Sequence, residues 1–127
     1  EELSGQFSLD AVLQRKAGKL SGGWQRRVSI AMALIGEPEI LFLDEPTLGL
    51  DVLARRELWD LVDSLRQSMT VLLTTHYMEE AEALSDEIAV MCCGKLRASG
   101  SLDDLRALTG KESLEDIFIS LSRKEGV

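Results

Sequence analysis

The sequence predicts an α/β fold built on a parallel sheet, and three stretches carry that prediction. Ile40-Leu41-Phe42-Leu43 is a short continuous apolar run that ends in Asp44, Glu45 and Pro46. Such a run reads as a strand buried on both faces of a parallel sheet. Residues 52–67 place Ala54, Leu58, Leu61, Val62 and Leu65 on one helical stripe. Met69 to Thr75 is a β-rich run. Strand, helix and strand at this spacing imply a right-handed parallel crossover.

The other elements follow in order. Residues 1–7 carry no firm signal. Ser8 is expected to cap a short helix carrying Leu9, Val12 and Leu13. Gln14 to Lys19 is a polar, basic link. Ser21 is expected to cap a helix from about Gly22 to Ile35, with Val28, Ala31, Leu34 and Ile35 on its apolar face. Gly36 and Pro38 end it. Pro46 cannot continue a central strand, so 46–51 is a loop. Tyr77 to Leu84 reads as a short acidic helix, and Glu87–Cys93 with Lys95–Ser99 as two strands joined near Gly94. Leu102, Leu105 and Leu108 mark one helix; Leu114, Ile117, Phe118 and Leu121 mark another.

Composition narrows the function classes. The 127 residues suffice for one domain with a core. A net charge of −8 argues against a nucleic-acid-binding face, which needs clustered Lys and Arg. The Arg26-Arg27 pair is too short to make one. No apolar run approaches the roughly 18 residues of a membrane span, and no secretory leader is expected. Cys92 and Cys93 are adjacent, which is neither a zinc spacing nor a redox pair. Both are expected as small buried hydrophobes in a reducing cytoplasm.

Asp44 and Glu45 fall at the carboxyl end of the first strand, where open α/β sheets place their ligands. Adjacent carboxylates at the mouth of an apolar core need compensation, because desolvating charge is expensive. A metal ion with polyphosphate is one such compensation. His76, the only histidine, follows the second strand. Ser21, Gly22 and Gly23 open a helix whose hydroxyl, amides and N-terminus suit phosphate. Taken alone, that Ser-Gly-Gly reads equally as a cap and turn.

Together these stretches resemble the ATP-binding cassette (ABC) ATPases. Leu20 to Gly23 match the family's signature motif, Leu41 to Asp44 its Walker B strand, Glu45 its catalytic glutamate, Gly49 to Asp51 its D-loop and His76 its switch histidine. The resemblance implies an ATPase with ATP and Mg2+. Asp44 would meet the metal, through a water; Glu45 would activate the attacking water; His76 would contact the γ-phosphate. Ser21, Gly22, Gly23 and Asp51 would serve ATP held by a second ABC ATPase subunit, in a homo- or heterodimer that moves transmembrane permease subunits. The implied location is the cytoplasmic face of the cell membrane. The stretches Glu79-Glu80-Ala81-Glu82, Gly94-Lys95-Leu96 and Leu114-Glu115-Asp116-Ile117-Phe118 look like the ATPases of bacterial ABC-2-type exporters of drugs, antibiotics or polysaccharides. Two positions depart from the family pattern: Trp24 stands where glutamine is common, and Leu48 where the D-loop has serine.

The sequence contains no G-x-x-x-x-G-K-[ST]: Gly18-Lys19 is followed by Leu20, and Gly110-Lys111 by Glu112. In the family that Walker A loop and the Q-loop precede the signature, so the chain is read as the C-terminal half of a P-loop NTPase (RecA-like) ABC ATPase domain. Its expected division is residues 1–38 as the end of the helical subdomain, 39–100 as the Walker B, D-loop and switch region, and 101–127 as C-terminal helices. An incomplete sheet leaves an exposed edge, so the isolated chain is expected to be poorly soluble or oligomeric. A second reading is a catalytically inert interaction or regulatory piece that docks onto a full ATPase subunit. A third, a soluble ABC ATPase of DNA repair or translation, lacks the coiled coils or second cassette that would support it.

Overall fold

A computed structural model describes residues 2–123. Residues 124–127, the end of the segment assigned to C-terminal helices, lie outside the described residues. The chain divides after His76 into two compact units.

The first unit starts with a helix that the sequence did not signal, α1 (Glu2–Gln6). Ser8 does not cap a helix. It adopts a left-handed backbone before a single 3-10 turn, Leu9–Ala11, and makes no side-chain cap bond. Phe7, Leu9 and Val12 are buried there, whereas Leu13 is exposed. A second 3-10 turn, Ala17–Lys19, leads into Leu20.

Helix α2 (Gly22–Leu34) begins where expected, with Ser21 Oγ accepting from the Trp24 amide at 3.4 Å. Its buried residues are Ile30, Ala31 and Leu34, while Ile35 is exposed. Ile35 falls off the face because the helix ends at Leu34, and Ile30 takes its place in the core.

Strands β1 (Ile40–Asp44) and β2 (Thr70–Thr74) pair in parallel, in the register Ile40↔Thr70 through Asp44↔Thr74. Helix α3 (Val52–Leu65) connects them and buries Leu58, Trp59, Val62 and Leu65. This is the α/β crossover that the sequence predicts. One expectation fails: β1 is buried on one face only. Leu41 and Leu43 are 4% and 8% exposed, but Ile40 and Phe42 are 51% and 70% exposed. A crossover helix covers one face of a strand pair, and no element among the described residues of this two-stranded sheet covers the other.

The second unit starts at Tyr77. It contains α4 (Met78–Leu84), an antiparallel hairpin of β3 (Ile88–Cys92) and β4 (Lys95–Gly100), α5 (Leu102–Thr109) and α6 (Leu114–Arg123). Ile88, Val90, Leu105, Leu114, Ile117 and Leu121 form its core. Leu108 is exposed although it lies three residues on from the buried Leu105, in the last turn of α5 before Gly110 ends the helix. The cysteines also differ from expectation: Cys92 is half-buried and Cys93 is exposed, because Cys93 lies in the hairpin turn and not in a strand. No helix of the described residues is long and apolar enough to cross a membrane.

Candidate functional site

The in-register pairing of β1 and β2 builds the first half of the site. Both strands end at the same level, Asp44 opposite Thr74, so their side chains share a face. Thr74 Oγ1 donates to Asp44 Oδ1 at 2.5 Å. The next residue, Glu45, leaves the strand with φ +45. That left-handed backbone costs a non-glycine residue on the order of 1 kcal/mol. The Glu45 amide is held against it by Thr74, donating to its carbonyl at 2.9 Å and its Oγ1 at 3.1 Å.

The turn aims the Glu45 side chain at His76, whose Nδ1 lies 2.7 Å from Glu45 Oε1. An ionised carboxylate only accepts, so Nδ1 carries the proton and donates. Both side chains reach solvent, the imidazole 57% and the carboxylate 38% exposed. The structure therefore brings together three of the residues picked out in the sequence, Asp44, Glu45 and His76. It adds Thr74, whose part depends on register and has no signal in a single chain's residue pattern beyond its closeness to His76.

The second half lies along the loop that starts at Glu45. Glu45 and Thr47 carbonyls accept from the Leu48 and Leu50 amides at 3.2 and 3.1 Å, and Gly49 takes φ +80. Such a turn position favours glycine. Pro46 and Thr47 are buried beneath the turn, Thr47 at 2% exposure. Asp51 ends the loop as the N-cap of α3, its Oδ1 accepting from the Ala54 amide at 2.8 Å.

Ser21, Gly22 and Gly23 meet the far end of this loop. A Cβ on Gly22 would lie 3.2 Å from Leu50 Cδ2, and one on Gly23 would lie 3.2 Å from Ala54 Cβ. The glycines thus serve a close approach of α2 to the start of α3. Arg26 Nη2 donates to the Leu48 carbonyl at 3.3 Å, and Arg27 pairs with Glu57 at 3.1 Å beneath the Trp24 ring, 4.9 Å from its centroid. Gln25 Nε2 ties α2 back to the Leu20 carbonyl at 3.0 Å. Ser21 keeps its hydroxyl on the Trp24 amide at the exposed helix start. The candidate residues thus form two groups, Ser21-Gly22-Gly23 with Asp51 and Asp44-Glu45 with His76, joined by one short loop.

The donor set fits a magnesium nucleotide. Mg2+ takes one or two carboxylates together with phosphate oxygens and keeps several waters. Asp44 offers one exposed carboxylate, fixed at Oδ1 by Thr74. Among the described residues no group of three or more His, Cys, Asp and Glu side chains could hold an ion alone.

Known proteins resemble the chain in sequence and in fold. The family model described as "ABC transporter" matches residues 1–48. The chain is 47% identical over 119 residues to the daunorubicin resistance ATP-binding protein DrrA3 of Streptomyces coeruleorubidus, covering 93% of this chain and 38% of that protein. It is 40% identical over 126 residues to ABC transporter A family member 9 of Arabidopsis thaliana, covering 99% of this chain and 13% of that protein. A solved ATP-binding subunit of an ABC transporter superposes with a TM-score of 0.78 at 32% identity, over 94% of this chain and 51% of that one. The ADP conformation of another ATP-binding cassette gives a TM-score of 0.76 at 27% identity, over 93% and 47%. The chain thus spans well under half of these curated relatives and about half of the solved ATPase chains. On motif order, fold and these likenesses, the chain corresponds to part of an ATP-binding cassette ATPase domain.

Proposed function

We propose that the chain supplies the hydrolytic residues and the partner-facing signature of an ATP-hydrolysing ABC transporter subunit. The observation that carries this reading is the cluster at the carboxyl ends of β1 and β2: Asp44 fixed by Thr74, and Glu45 turned onto His76 at 2.7 Å. Phosphoryl transfer to water is mostly a matter of positioning and charge stabilisation, and each of these residues has a task of that kind.

Asp44 would hold Mg2+ through its carboxylate or a bound water. When bound, the ion neutralises charge on the phosphate oxygens. Glu45 orients the attacking water and takes its proton, a role worth roughly 10²–10⁴-fold in rate. The hydrogen bond from His76 fixes Oε1 and selects the rotamer in which Oε2 meets the water. The ring's Nδ1 faces Glu45, so contact with a γ-phosphate would fall to Nε2. Ser21, Gly22 and Gly23 close over ATP held by a second ABC ATPase subunit, with Asp51 and its loop at the same twofold interface. Residues 1–38 then act as the end of the helical subdomain, 39–100 as the catalytic core and 101–127 as C-terminal helices. ATP-driven dimerisation moves transmembrane permease subunits, in an exporter, at the cytoplasmic face of the membrane. The likeness to a daunorubicin resistance ATP-binding protein supports the exporter direction.

The test is ATP hydrolysis by the chain, alone and mixed with an N-terminal half that carries a P-loop. Turnover only in the mixture, lost on Glu45→Gln while ATP still binds, is the expected outcome. A mixture of soluble, folded halves that stays silent, or one that turns over fully with Glu45→Gln, overturns the reading.

A further inference from the structure

The two cysteines of the chain meet in the β3–β4 hairpin, and neither is among the candidate site residues. Cys92 pairs with Lys95 across the ladder, so Cys93-Gly94 is a two-residue turn. Both turn residues have positive φ, 52 at Cys93 and 72 at Gly94. That is the type I′ geometry, in which Asn-Gly and Asp-Gly are the favoured sequences. A cysteine in the first position is an unfavourable choice for the turn alone. It holds Cys93 Sγ 3.7 Å from Cys92 Sγ, with Cys93 exposed and Cys92 half-buried.

We infer that this vicinal dithiol is a chelating site for a thiophilic trivalent arsenical, taken up through both sulfurs at once. Three observations favour that ligand. The sulfurs are pre-positioned on one side of a short turn whose ends are fixed by the ladder, so little ordering opposes chelation. A direct disulfide suits the pair poorly: adjacent Cα atoms lie about 3.8 Å apart, below the roughly 4.4–6.8 Å that disulfides span. A bridging atom lets the sulfurs remain apart. The turn presents two sulfurs 3.7 Å apart, so the site suits an element that takes two protein sulfurs and brings its third substituent with it.

The reaction with phenylarsine oxide balances without an oxidant or reductant. Both S–H bonds break and two As–S bonds form. The two protons leave on the oxide oxygen as water, and arsenic stays trivalent.

The chain is treated with phenylarsine oxide, and bound arsenical is read by intact mass and free thiols by titration. The expected result is one arsenical per chain and loss of both titratable thiols, stable to excess monothiol and reversed by a dithiol. Cys93→Asn places a residue favoured by the turn, so the hairpin is kept; monothiol-resistant capture is expected to be lost. Cys92→Ser is expected to lose it as well. Two arsenicals per chain, release by monothiol, or undiminished capture by a folded Cys93→Asn chain each overturns the proposal.

Discussion

Thr74 Oγ1 donates a 2.5 Å hydrogen bond to Asp44 Oδ1, across two parallel strands that end at the same level. The same hydroxyl accepts from the Glu45 amide at 3.1 Å. One side chain therefore orients the carboxylate proposed to meet the metal and also braces the left-handed backbone of the proposed base. Thr74→Val keeps the shape and removes both bonds. Hydrogen bonds to charged groups contribute about 1.5–3 kcal/mol, and solvent at this exposed strand end brings the expected loss to the low end of that range. Turnover in the reconstituted ATPase should fall further than unfolding stability, because the carboxylate loses its orientation. Thr74→Ser should restore most of both. Equal turnover for Val and threonine would show that Asp44 needs no such support.

The same relationship marks the limit of what the residues alone disclose. Asp44, Glu45 and His76 were legible because each stands at the end of a recognisable strand, and helix starts were legible at Ser21 and Asp51 because their side chains bond locally. Thr74 was not, since its partner is set by the register of two strands joined through α3. Nor was the left-handed backbone of Glu45, which no propensity favours. Periodicity found the α3 stripe at Leu58, Val62 and Leu65, yet missed Trp59, which is 6% exposed. Its width lets one large ring reach the core from the edge of the stripe, with Arg56 5.0 Å from its centroid. For Phe42, an apolar run predicted two covered faces, but a pattern along one chain does not say whether a second layer is supplied.

Close packing at the signature separates two neighbouring glycines. An added Cβ at Gly22 meets only the end of the Leu50 side chain, whereas at Gly23 it meets Ala54 Cβ, which is fixed to the α3 backbone. Both contacts are 3.2 Å, so a neighbour must give way in each case. Leu50 can rotate, and alanine favours the helix by up to about 1 kcal/mol over glycine. Gly22→Ala should therefore be near neutral in urea unfolding. Gly23→Ala must push α2 from α3, and overpacking of this kind costs about 1–3 kcal/mol. Equal midpoints for the two variants would mean that the helices are not held at this approach.

Helix α5 carries a capping box that makes stability depend on pH. Ser101 Oγ accepts from the Asp104 amide at 3.2 Å, and Asp104 Oδ2 accepts from the Ser101 amide at 2.9 Å and from its hydroxyl at 2.7 Å. The Ser101 hydroxyl and then its amide hold the Asp104 carboxyl below its ordinary value of 3.8, against a smaller opposing effect of burial. A carboxylate depressed in the folded state stabilises the fold above the unfolded value, and that contribution is lost as pH falls through the folded value. The parent chain should therefore lose stability below about pH 3.8 relative to Asp104→Asn, with the difference constant at higher pH. Ser101→Ala should cost about 1 kcal/mol at neutral pH and abolish most of that acid sensitivity. Parallel midpoint-against-pH curves for the parent and Asp104→Asn would remove the box from the pH response.

The open face of the parallel sheet makes self-association of the chain a direct expectation. Phe42 and Leu72 are register partners, 70% and 51% exposed, and Ile40 on the same face is 51% exposed. Adjacent large apolar side chains on a strand pair form a patch of the kind that marks contact surfaces, and a two-stranded sheet also presents unpaired strand edges. The net charge of −8 opposes association through the bulk of the surface, but screening confines that repulsion to about 10 Å at ordinary salt. The chain should therefore scatter light as more than a monomer at working concentration, and more so as salt rises. Phe42→Thr removes the largest exposed ring and keeps a residue that suits a strand. Burying a phenylalanine contributes about 1.5–3 kcal/mol, so the dissociation constant should rise by about tenfold or more. Folding stability should change little, because the ring contributes little buried area within the chain. A monodisperse monomer of the parent chain across a concentration series would mean that the face stays solvated, and an unchanged assembly in Phe42→Thr would move the contact to the strand edges.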